Sequence, residues 1–439
     1  DTGDLWAALG RASGQPIPAV MDGWIFAPGY PLVSASIERG ELVLRQQRFT
    51  YLREPLPWWG AKPAASTPGR WQVPVQLRIT AGGRDTVERV LLSESEVRRP
   101  LPAGCDSVVV NEGGHGFYRV RYDAELLGRL VARLPALGAI ERYNLVNDAW
   151  AVTLAGLMPL TDYLDLTARF REERDKNVWT ILIGSLAMLN RLIAPEVRPG
   201  LEALVRDRVA PALSLLGWDS RSSEDELTRQ LRGDLVRALG TLGNDRSVQA
   251  QAAERYGEHV HGKATVDPNV LPALIAVLAS SGDPARYTDF VDRFRAASTP
   301  QEEQRYLYAL TAFPQPELIA QTLGRTINGE IRTQDAPFVV RSLLLTVQAR
   351  EQAWDFVMKQ WDTMDRLYPK HGLRRMAEGV TGLITPELEA SVHRFFQERH
   401  IEFGGKVLEQ YLEQLRLAVA MREREGAALA AYVARSTSR

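Results

Sequence analysis

The chain has 439 residues, 45% of them hydrophobic and 24% charged, a composition typical of a globular protein with about two or three domains. A formal net charge of −1 argues against a nucleic-acid-binding surface, and no apolar run reaches the roughly 18 residues of a membrane span. The single cysteine, Cys105, excludes an internal disulfide, and the opening residues lack the features of a signal peptide. We therefore expect a soluble protein without nucleic-acid or membrane partners; its compartment stays open, with the cytoplasm favoured over secretion.

Residues 1–27 contain two short helical patterns, the second introduced by Gln-Pro-Ile-Pro at 15–18. The apolar positions of these patterns are Leu5, Trp6, Leu9, Ala12, Val20, Met21 and Trp24. Because two helices of this length bury little surface by themselves, we predict that they are the remnant of a larger domain. The apolar side chains expected to need a partner are Leu5, Trp6, Leu9 and Trp24.

Residues 28–115 have the alternating apolar pattern of short β-strands, and the pattern follows a rigid Pro-Gly-Tyr-Pro turn at 28–31. The predicted strands are 32–37, 42–44, 71–79, 86–92, 108–110 and 118–122. Turns at 38–41 and at Gly82-Gly83 join the first four strands into two hairpins. Short strands over about 90 residues predict a small antiparallel β-sandwich.

A stretch rich in proline, alanine and tryptophan at 55–68 separates the two hairpins and is predicted to be a long surface loop. Within it, Trp58 and Trp59 either form an exposed contact patch or fold back onto the sandwich. The sequence leaves both alternatives open.

Residues 116–439 are predicted to form the helical part of a multidomain β + α protein. Pro268, Pro284, Pro300 and Pro316 lie 16 residues apart, and each is predicted to begin a helix, because proline in the first turn loses no hydrogen bond. The buried face expected after the second of these prolines consists of Tyr287, Phe290, Val291 and Phe294. We therefore predict a large all-α solenoid of helical pairs, a HEAT- or ARM-like superhelix.

Three motifs point to one family. They are Met-Asp-x-Trp at 21–24 with Pro-Gly-Tyr-Pro at 28–31, Gly-Phe-Tyr-Arg-Val-Arg-Tyr-Asp at 116–123, and Glu-Arg-Tyr-Asn-Leu-Val-Asn-Asp-Ala-Trp at 141–150. In order and spacing they resemble the aminopeptidase N type of zinc aminopeptidases. The resemblance implies the end of a catalytic domain, a β-sandwich domain and a C-terminal helical domain.

The motifs that carry the chemistry of that family are absent from the sequence. The family uses His-Glu-x-x-His on one helix to bind zinc and Gly-x-Met-Glu-Asn to hold the substrate, and neither occurs here. The histidines are His115, His259, His261, His371, His393 and His400. We therefore expect no catalytic or metal-binding residue and no cofactor in this chain. The resemblance implies zinc in an N-terminal catalytic half, which is the expected partner together with peptides.

In the resembled family the helical domain arches over the active site, so the resemblance implies a role in controlling peptide access. Arginines in the last helices are candidates for binding a peptide carboxylate, although such residues more often pair with neighbouring glutamates. The candidates are Arg374, Arg375, Arg416, Arg422 and Arg424. The alternative is a stand-alone sandwich-plus-solenoid scaffold that binds a protein or peptide partner.

Three further features are given structural interpretations. His259-x-His261 has the spacing of two metal ligands, but no third ligand is evident. The glycine-rich segment at 113–116 is predicted to be a bend between strands. Arg142 and Asp148 are predicted to form a structural ion pair or a helix-capping set.

Overall fold

The computed structural model describes residues 1–52, 70–399 and 406–436. Backbone contacts divide the chain into two compact units, Asp1–Arg169 and Phe170–Arg439. The features of the sequence analysis that lie outside the described residues are the loop at 55–68, Trp58, Trp59 and His400.

Two helices open the first unit, α1 (Thr2–Ser13) and α2 (Ile17–Phe26). The Asp1 carboxylate caps α1 by accepting the Asp4 N–H at 3.1 Å. Gly14 follows α1 in the left-handed region at φ +66°, a conformation that glycine adopts without strain. Both predicted helical patterns are therefore confirmed.

Seven strands follow among the described residues, arranged in two sheets. They are β1 (Pro31–Glu38), β2 (Glu41–Arg48), β3 (Val73–Ala81), β4 (Arg84–Leu92), β5 (Glu96–Pro100), β6 (Cys105–Val110) and β7 (Arg119–Tyr122). One sheet has the order β5-β2-β1-β7 and the other β4-β3-β6. Both contribute to one hydrophobic core, with Val33 and Leu44 from the first sheet and Leu77 and Val108 from the second. Two sheets that share a core in this way form a small β-sandwich.

The hairpins β1–β2 and β3–β4 form where the sequence predicts them. Their turns have positive φ at both central residues, +54° at Arg39 and +80° at Gly40, and +54° at Gly82 and +75° at Gly83. This backbone twist matches the right-handed twist of the flanking strands, so each pair stays in register up to its turn.

Two pairings in the larger sheet were not predicted. Strand β7 runs parallel to β1, with Val33 opposite Val120, so the sandwich is mixed and not purely antiparallel. Strand β5 pairs antiparallel with β2, with Leu44 opposite Val97. Both pairings join segments that are distant along the chain and have no hairpin turn between them. No local sequence pattern therefore predicts them.

Helices attached to the sandwich complete the first unit: α3 (Ala124–Ala132), α4 (Ala139–Leu154) and α5 (Leu160–Thr167). The Asp123 carboxylate accepts the Leu126 N–H at 2.8 Å, which caps α3, and the Ile37 N–H of β1 at 3.0 Å. Leu126 is buried in the sandwich core. Because α3 and α4 pack on the strands and α5 packs on α4, the first unit continues to Arg169, past the predicted change of domain between 115 and 116.

The second unit is built from helices. They are α6 (Lys176–Leu192), α7 (Arg198–Leu216), α8 (Glu226–Gly240), α9 (Arg246–Val260), α10 (Leu271–Ser280), α11 (Pro284–Ala296), α12 (Pro300–Ala309), α13 (Pro316–Arg325), α14 (Ala336–Leu345), α15 (Arg350–Leu367), α16 (Lys370–Ala377), α17 (Pro386–Glu398) and α18 (Val407–Ser436). The chain is thus mostly helical with a small β region toward its N-terminal side. The superhelical arrangement of the helices stays a prediction. Within the described ranges, no helix has the length and apolar character needed to cross a lipid bilayer.

The proline spacing predicts three helix starts correctly and one wrongly. Helices α11, α12 and α13 begin at Pro284, Pro300 and Pro316. Pro268 lies instead in a turn, where the Asp267 carboxylate accepts the Asn269 N–H at 2.9 Å, and α10 begins only at Leu271. The predicted face of α11 is buried in full: Tyr287, Phe290, Val291 and Phe294.

Candidate functional site

The two opening helices carry an uncovered apolar surface. In this described segment, neither α1 nor α2 contains a buried residue. Leu5 is 52% exposed, Leu9 43%, Ile25 50% and Phe26 77%. We call these four side chains, on two helices that contact each other, the opening-helix surface. Large apolar side chains in contact with water are typical of interaction sites when they form a continuous patch.

Trp24 does not belong to this surface, although the sequence analysis grouped it with Leu5, Trp6 and Leu9. Its ring lies 6.3 Å from the ring of Trp71, centroid to centroid, and its Nε1 donates a hydrogen bond to the Gln72 carbonyl at 3.2 Å. Trp24 thus packs against the sandwich core and anchors α2 on it. The prediction that this side chain lacks a partner is wrong, because the sandwich itself covers it.

Phe117 is an exposed aromatic residue that the sequence analysis did not single out as a contact residue. Its ring lies 6.3 Å from that of Trp24 and 5.5 Å from that of Tyr30. The available signal was its place in the second family motif, directly before a buried tyrosine. Phe117 therefore extends the exposed apolar side chains of the first unit next to the anchor of α2.

The glycine-rich segment at 113–116 is a structural bend. The Asn111 side chain accepts the Gly116 N–H at 2.7 Å and donates to the Gly116 carbonyl at 3.1 Å. A Cβ at Gly116 would lie 2.1 Å from the Tyr118 ring, so only glycine fits there. The predicted bend is confirmed.

The third family motif provides a buried structural pair. The Asp148 carboxylate accepts a hydrogen bond from Arg119 Nη1 at 3.0 Å and one from the Val120 N–H at 3.0 Å. Burial raises the pKa of the Asp148 carboxyl to about 6, although the charge of Arg119 opposes this shift. The predicted partner is wrong: Arg142 donates instead to the Leu137 carbonyl at 2.7 Å. The pair joins α4 to β7 and has a structural role.

A groove of about 840 Å³ lies within the first unit, between strands β1, β2 and β7 and helices α3 to α5. Half-buried apolar side chains such as Leu127 and Met158 line it. Its charged lining includes groups that already serve the fold, because Asp123 caps α3 and Arg45 pairs with Glu38 at 2.7 Å. The groove therefore supports no assignment of a catalytic arrangement.

The histidines do not assemble into a metal centre in the part of the chain that the structure describes. Among these residues, no group of three or more histidine, cysteine, aspartate and glutamate side chains could hold an ion. His259 Nδ1 accepts the Val266 N–H at 3.4 Å, and His261 Nδ1 lies 2.6 Å from the Gly257 carbonyl. These contacts place the His259-x-His261 pair at the end of α9 as local structure.

The candidate peptide-binding arginines have different surroundings. Arg374 and Arg375 are exposed on α16. On α18, Arg416 pairs with Glu389 at 3.0 Å and with Glu423 at 3.5 Å, and Arg424 pairs with Glu425 at 2.9 Å. Arg422 Nη1 donates to the Ile384 carbonyl at 2.8 Å. A role in peptide binding stays a prediction for all five candidates, Arg374, Arg375, Arg416, Arg422 and Arg424.

Comparison with known proteins finds one matching family model and relatives that are named aminopeptidases. The family model described as ERAP1-like C-terminal domain matches residues 107–417. The chain is 28% identical over 434 residues to Aminopeptidase M1-A of Oryza sativa subsp. japonica, which covers 95% of this chain and 48% of that protein. It is 27% identical to Aminopeptidase M1 of Arabidopsis thaliana, with 95% and 49% covered, and 26% identical to Glutamyl aminopeptidase of Mus musculus, with 82% and 38% covered. The chain thus spans about half the length or less of these relatives.

Proposed function

The chain belongs to the ERAP1-like C-terminal domain family, and from this membership we propose that it is the non-catalytic portion of a zinc metallo-aminopeptidase. Such an enzyme removes N-terminal residues from peptides. The observation that carries the proposal is the family match over residues 107–417. Relatives named aminopeptidases, which align with 95% of the chain, support it. The zinc ion and the catalytic residues would belong to a separate catalytic portion.

In this proposal the helical part caps the active-site chamber and controls which peptides enter it. Stacked helical pairs curve, and a curved array offers an inner surface that admits an extended peptide and excludes a folded protein. The exposed arginines Arg374 and Arg375 on α16 are available to attract peptide carboxylates. Arg416 and Arg424 are already paired with carboxylates and are weaker candidates for this role.

The opening-helix surface is the proposed contact with the catalytic portion. Covering a Leu, Ile or Phe side chain completely contributes about 1.5–3 kcal/mol relative to leaving it in water. Four such side chains on two adjacent helices would therefore give a stable apolar contact. The anchor of α2 through Trp24 fixes the position of this surface on the sandwich.

The test combines the chain with a polypeptide that carries His-Glu-x-x-His and the catalytic domain of this family. We expect the chain alone to hydrolyse no aminoacyl reporter substrate and to bind no stoichiometric zinc. On mixing, we expect a complex whose preference among peptides of different lengths differs from that of the catalytic polypeptide alone.

Two results would contradict the proposal. Turnover by the isolated chain would show that catalysis resides in residues assigned a structural role here. A chain that forms no complex with the catalytic polypeptide, while binding an unrelated protein stoichiometrically, would instead support the stand-alone scaffold.

A further inference from the structure

Four arginines of the second unit lie near the end of α6 and the end of the 3-10 helix Glu378–Gly382. We call them the arginine cluster: Arg191 in the last turn of α6, Arg198 at the start of α7, Arg350 at the start of α15 and Arg422 within α18. They come from four different helices, so only the fold brings them together.

Hydrogen bonds to neighbouring carbonyls bring Arg198, Arg350 and Arg422 together, and Arg191 belongs to the cluster through its carbonyl and through the repulsion between its charge and that of Arg350. Arg350 Nη1 donates to the Arg191 carbonyl at 3.1 Å, and Arg198 Nη1 donates to the Asn190 carbonyl at 3.1 Å. Because Asn190 and Arg191 are adjacent in the chain, the guanidinium groups of Arg198 and Arg350 lie at the same end of α6.

The fourth arginine joins them through a second segment. Arg350 Nη1 also donates to the Gly382 carbonyl at 3.2 Å, and Arg422 Nη1 donates to the Ile384 carbonyl at 2.8 Å. These two acceptors are two residues apart, at the last residue of the 3-10 helix Glu378–Gly382 and just beyond it. The guanidinium of Arg350 therefore lies between the end of α6 and the segment that binds Arg422.

In the described part of the chain, the cluster has no carboxylate in direct contact, although Glu351, Glu202 and Glu387 act at longer range on Arg350, Arg198 and Arg422, respectively. Within the described residues, none of its four guanidinium groups has a carboxylate oxygen within the 4.0 Å that defines an ion pair. Arg350 is only 8% exposed, and its Nε is buried without a hydrogen-bond partner. A carbonyl bond orients a guanidinium but does not neutralise it, and a buried unpaired charge is costly.

The contrast with another buried arginine is direct. Arg232 is fully buried, and its Nη2 lies 2.8 Å from the Glu224 carboxylate. In the cluster, burial lowers the pKa of Arg350, and repulsion from the neighbouring arginines lowers it further, while the Glu351 carboxylate opposes the shift. Arg232 thus has a carboxylate in direct contact, whereas Arg350 has three arginines near it and its closest acidic influence, Glu351, makes no ion pair with it.

We propose that the arginine cluster binds an oxyanion, a carboxylate or a phosphate, that makes the direct charge contact which the described carboxylates of the chain do not make. Guanidinium groups present paired N–H donors that match the two oxygens of such a group. Arg191, Arg198 and Arg422 are half-buried, so the cluster stays in contact with solvent. If the anion is a peptide carboxylate, the site rests on the proposed function; a phosphate site does not depend on it.

The test measures binding of inorganic phosphate to the 439-residue chain by calorimetry and by the midpoint of thermal unfolding, with chloride at equal ionic strength as the salt control. A second titration uses an N-acetylated dipeptide with a free C-terminal carboxylate, and a third uses its C-terminal amide. We expect saturable binding of phosphate or of the free carboxylate, and none of the amide.

The variant R191Q/R198Q removes two half-buried members of the cluster and leaves the buried Arg350 in place. We expect it to weaken the binding at least tenfold. The matched control R237Q/R394Q removes the same charge from exposed positions on α8 and α17 and should bind as the unmodified chain does. Selective binding of phosphate identifies a phosphate site, and selective binding of the free dipeptide identifies a carboxylate site.

Absence of both kinds of binding would overturn the proposal, and so would equal binding by R191Q/R198Q and the control variant. Neither result bears on whether the chain supports aminopeptidase activity, so the two proposals fail independently.

Discussion

The first helices and the last helix of the described chain differ in what covers them. Helices α1 and α2 expose Leu5, Leu9, Ile25 and Phe26, whereas α18 buries its apolar positions among its neighbours. The fully or almost fully buried side chains of α18 include Leu412, Leu415, Val419, Met421 and Val433. At Gly200 of α7, an added Cβ would lie 3.0 Å from the Val433 carbonyl, so the two helices approach closely.

This difference shows that an apolar helix pattern alone does not determine burial. Both regions have apolar residues at helical spacing, but α18 has α7 and α17 beside it, while the opening helices contact each other and reach the sandwich through Trp24. A partner that covers Leu5, Leu9, Ile25 and Phe26 would remove the difference.

The largest effect is expected for Leu415→Ala in α18. Leu415 is fully buried, and removing its side chain leaves a cavity that should lower the free energy of unfolding by about 2–5 kcal/mol. Denaturant unfolding measures the change. A loss below about 1 kcal/mol would show that α18 is not packed as described.

A smaller effect is expected for Trp24→Ala, because Trp24 anchors α2 on the sandwich and is only half-buried. We expect a loss of about 1–3 kcal/mol in unfolding free energy from lost packing and hydrogen bonding. Trp24→Phe keeps an aromatic ring but loses the bond to the Gln72 carbonyl, so it should cost about 1 kcal/mol. Equal losses in both variants would mean that packing against Trp71 contributes nothing.

A pH-dependent effect is expected where Arg416 of α18 meets Glu389 of α17. Burial raises the pKa of the Glu389 carboxyl above its ordinary 4.5, and Arg416 opposes the rise. The folded state therefore holds this proton more tightly than the unfolded state does, and stability falls as the pH rises through the folded-state pKa. Arg416→Gln should raise this pKa further and destabilise the chain by about 1 kcal/mol more at pH 7 than at pH 4.

The control for this prediction is the double variant R416Q/E389Q, which has no carboxyl to titrate. Its stability relative to the unmodified chain should lack the additional loss between pH 4 and pH 7 that Arg416→Gln produces. An identical pH profile for the single and double variants would remove Glu389 from the explanation.

The smallest effects are expected on the opening-helix surface. Leu5→Ala and Leu9→Ala each remove a side chain that water already contacts, so each should change the unfolding free energy by less than about 0.5 kcal/mol. Thermal and denaturant unfolding of the isolated chain measure these changes. Losses comparable to that of Leu415→Ala would show that these side chains are already packed.

Local patterns predicted much of the first unit and several helices of the second. The hairpin turns at Gly40 and at Gly82-Gly83 follow from residues that accept positive φ, and the starts of α11 and α12 follow from proline after a capping residue. Strand β5 was missed because it is short and carries Arg98 and Arg99, which hide its apolar alternation.

Contacts between distant segments could not be predicted. Arg350 bonds to the Arg191 carbonyl across 159 positions, and no local pattern indicates that these residues meet. The apolar run at 24–26 likewise does not show that Trp24 packs on the sandwich while Ile25 and Phe26 stay exposed, since this depends on where Trp71 lies. Candidate sites that require such meetings were therefore found only in the structure.

If a catalytic polypeptide covers the opening-helix surface, the dissociation constant of their complex depends on the side chains of this surface. The variant L5D/F26D places charges on this surface, whereas Val87→Asp places one on β4 at a side chain that is 52% exposed, like that of Leu5. We predict that L5D/F26D weakens the complex by at least about tenfold, a cost of about 1.4 kcal/mol, while Val87→Asp leaves it unchanged. Equal affinities for the two variants would show that the complex does not form through the opening-helix surface.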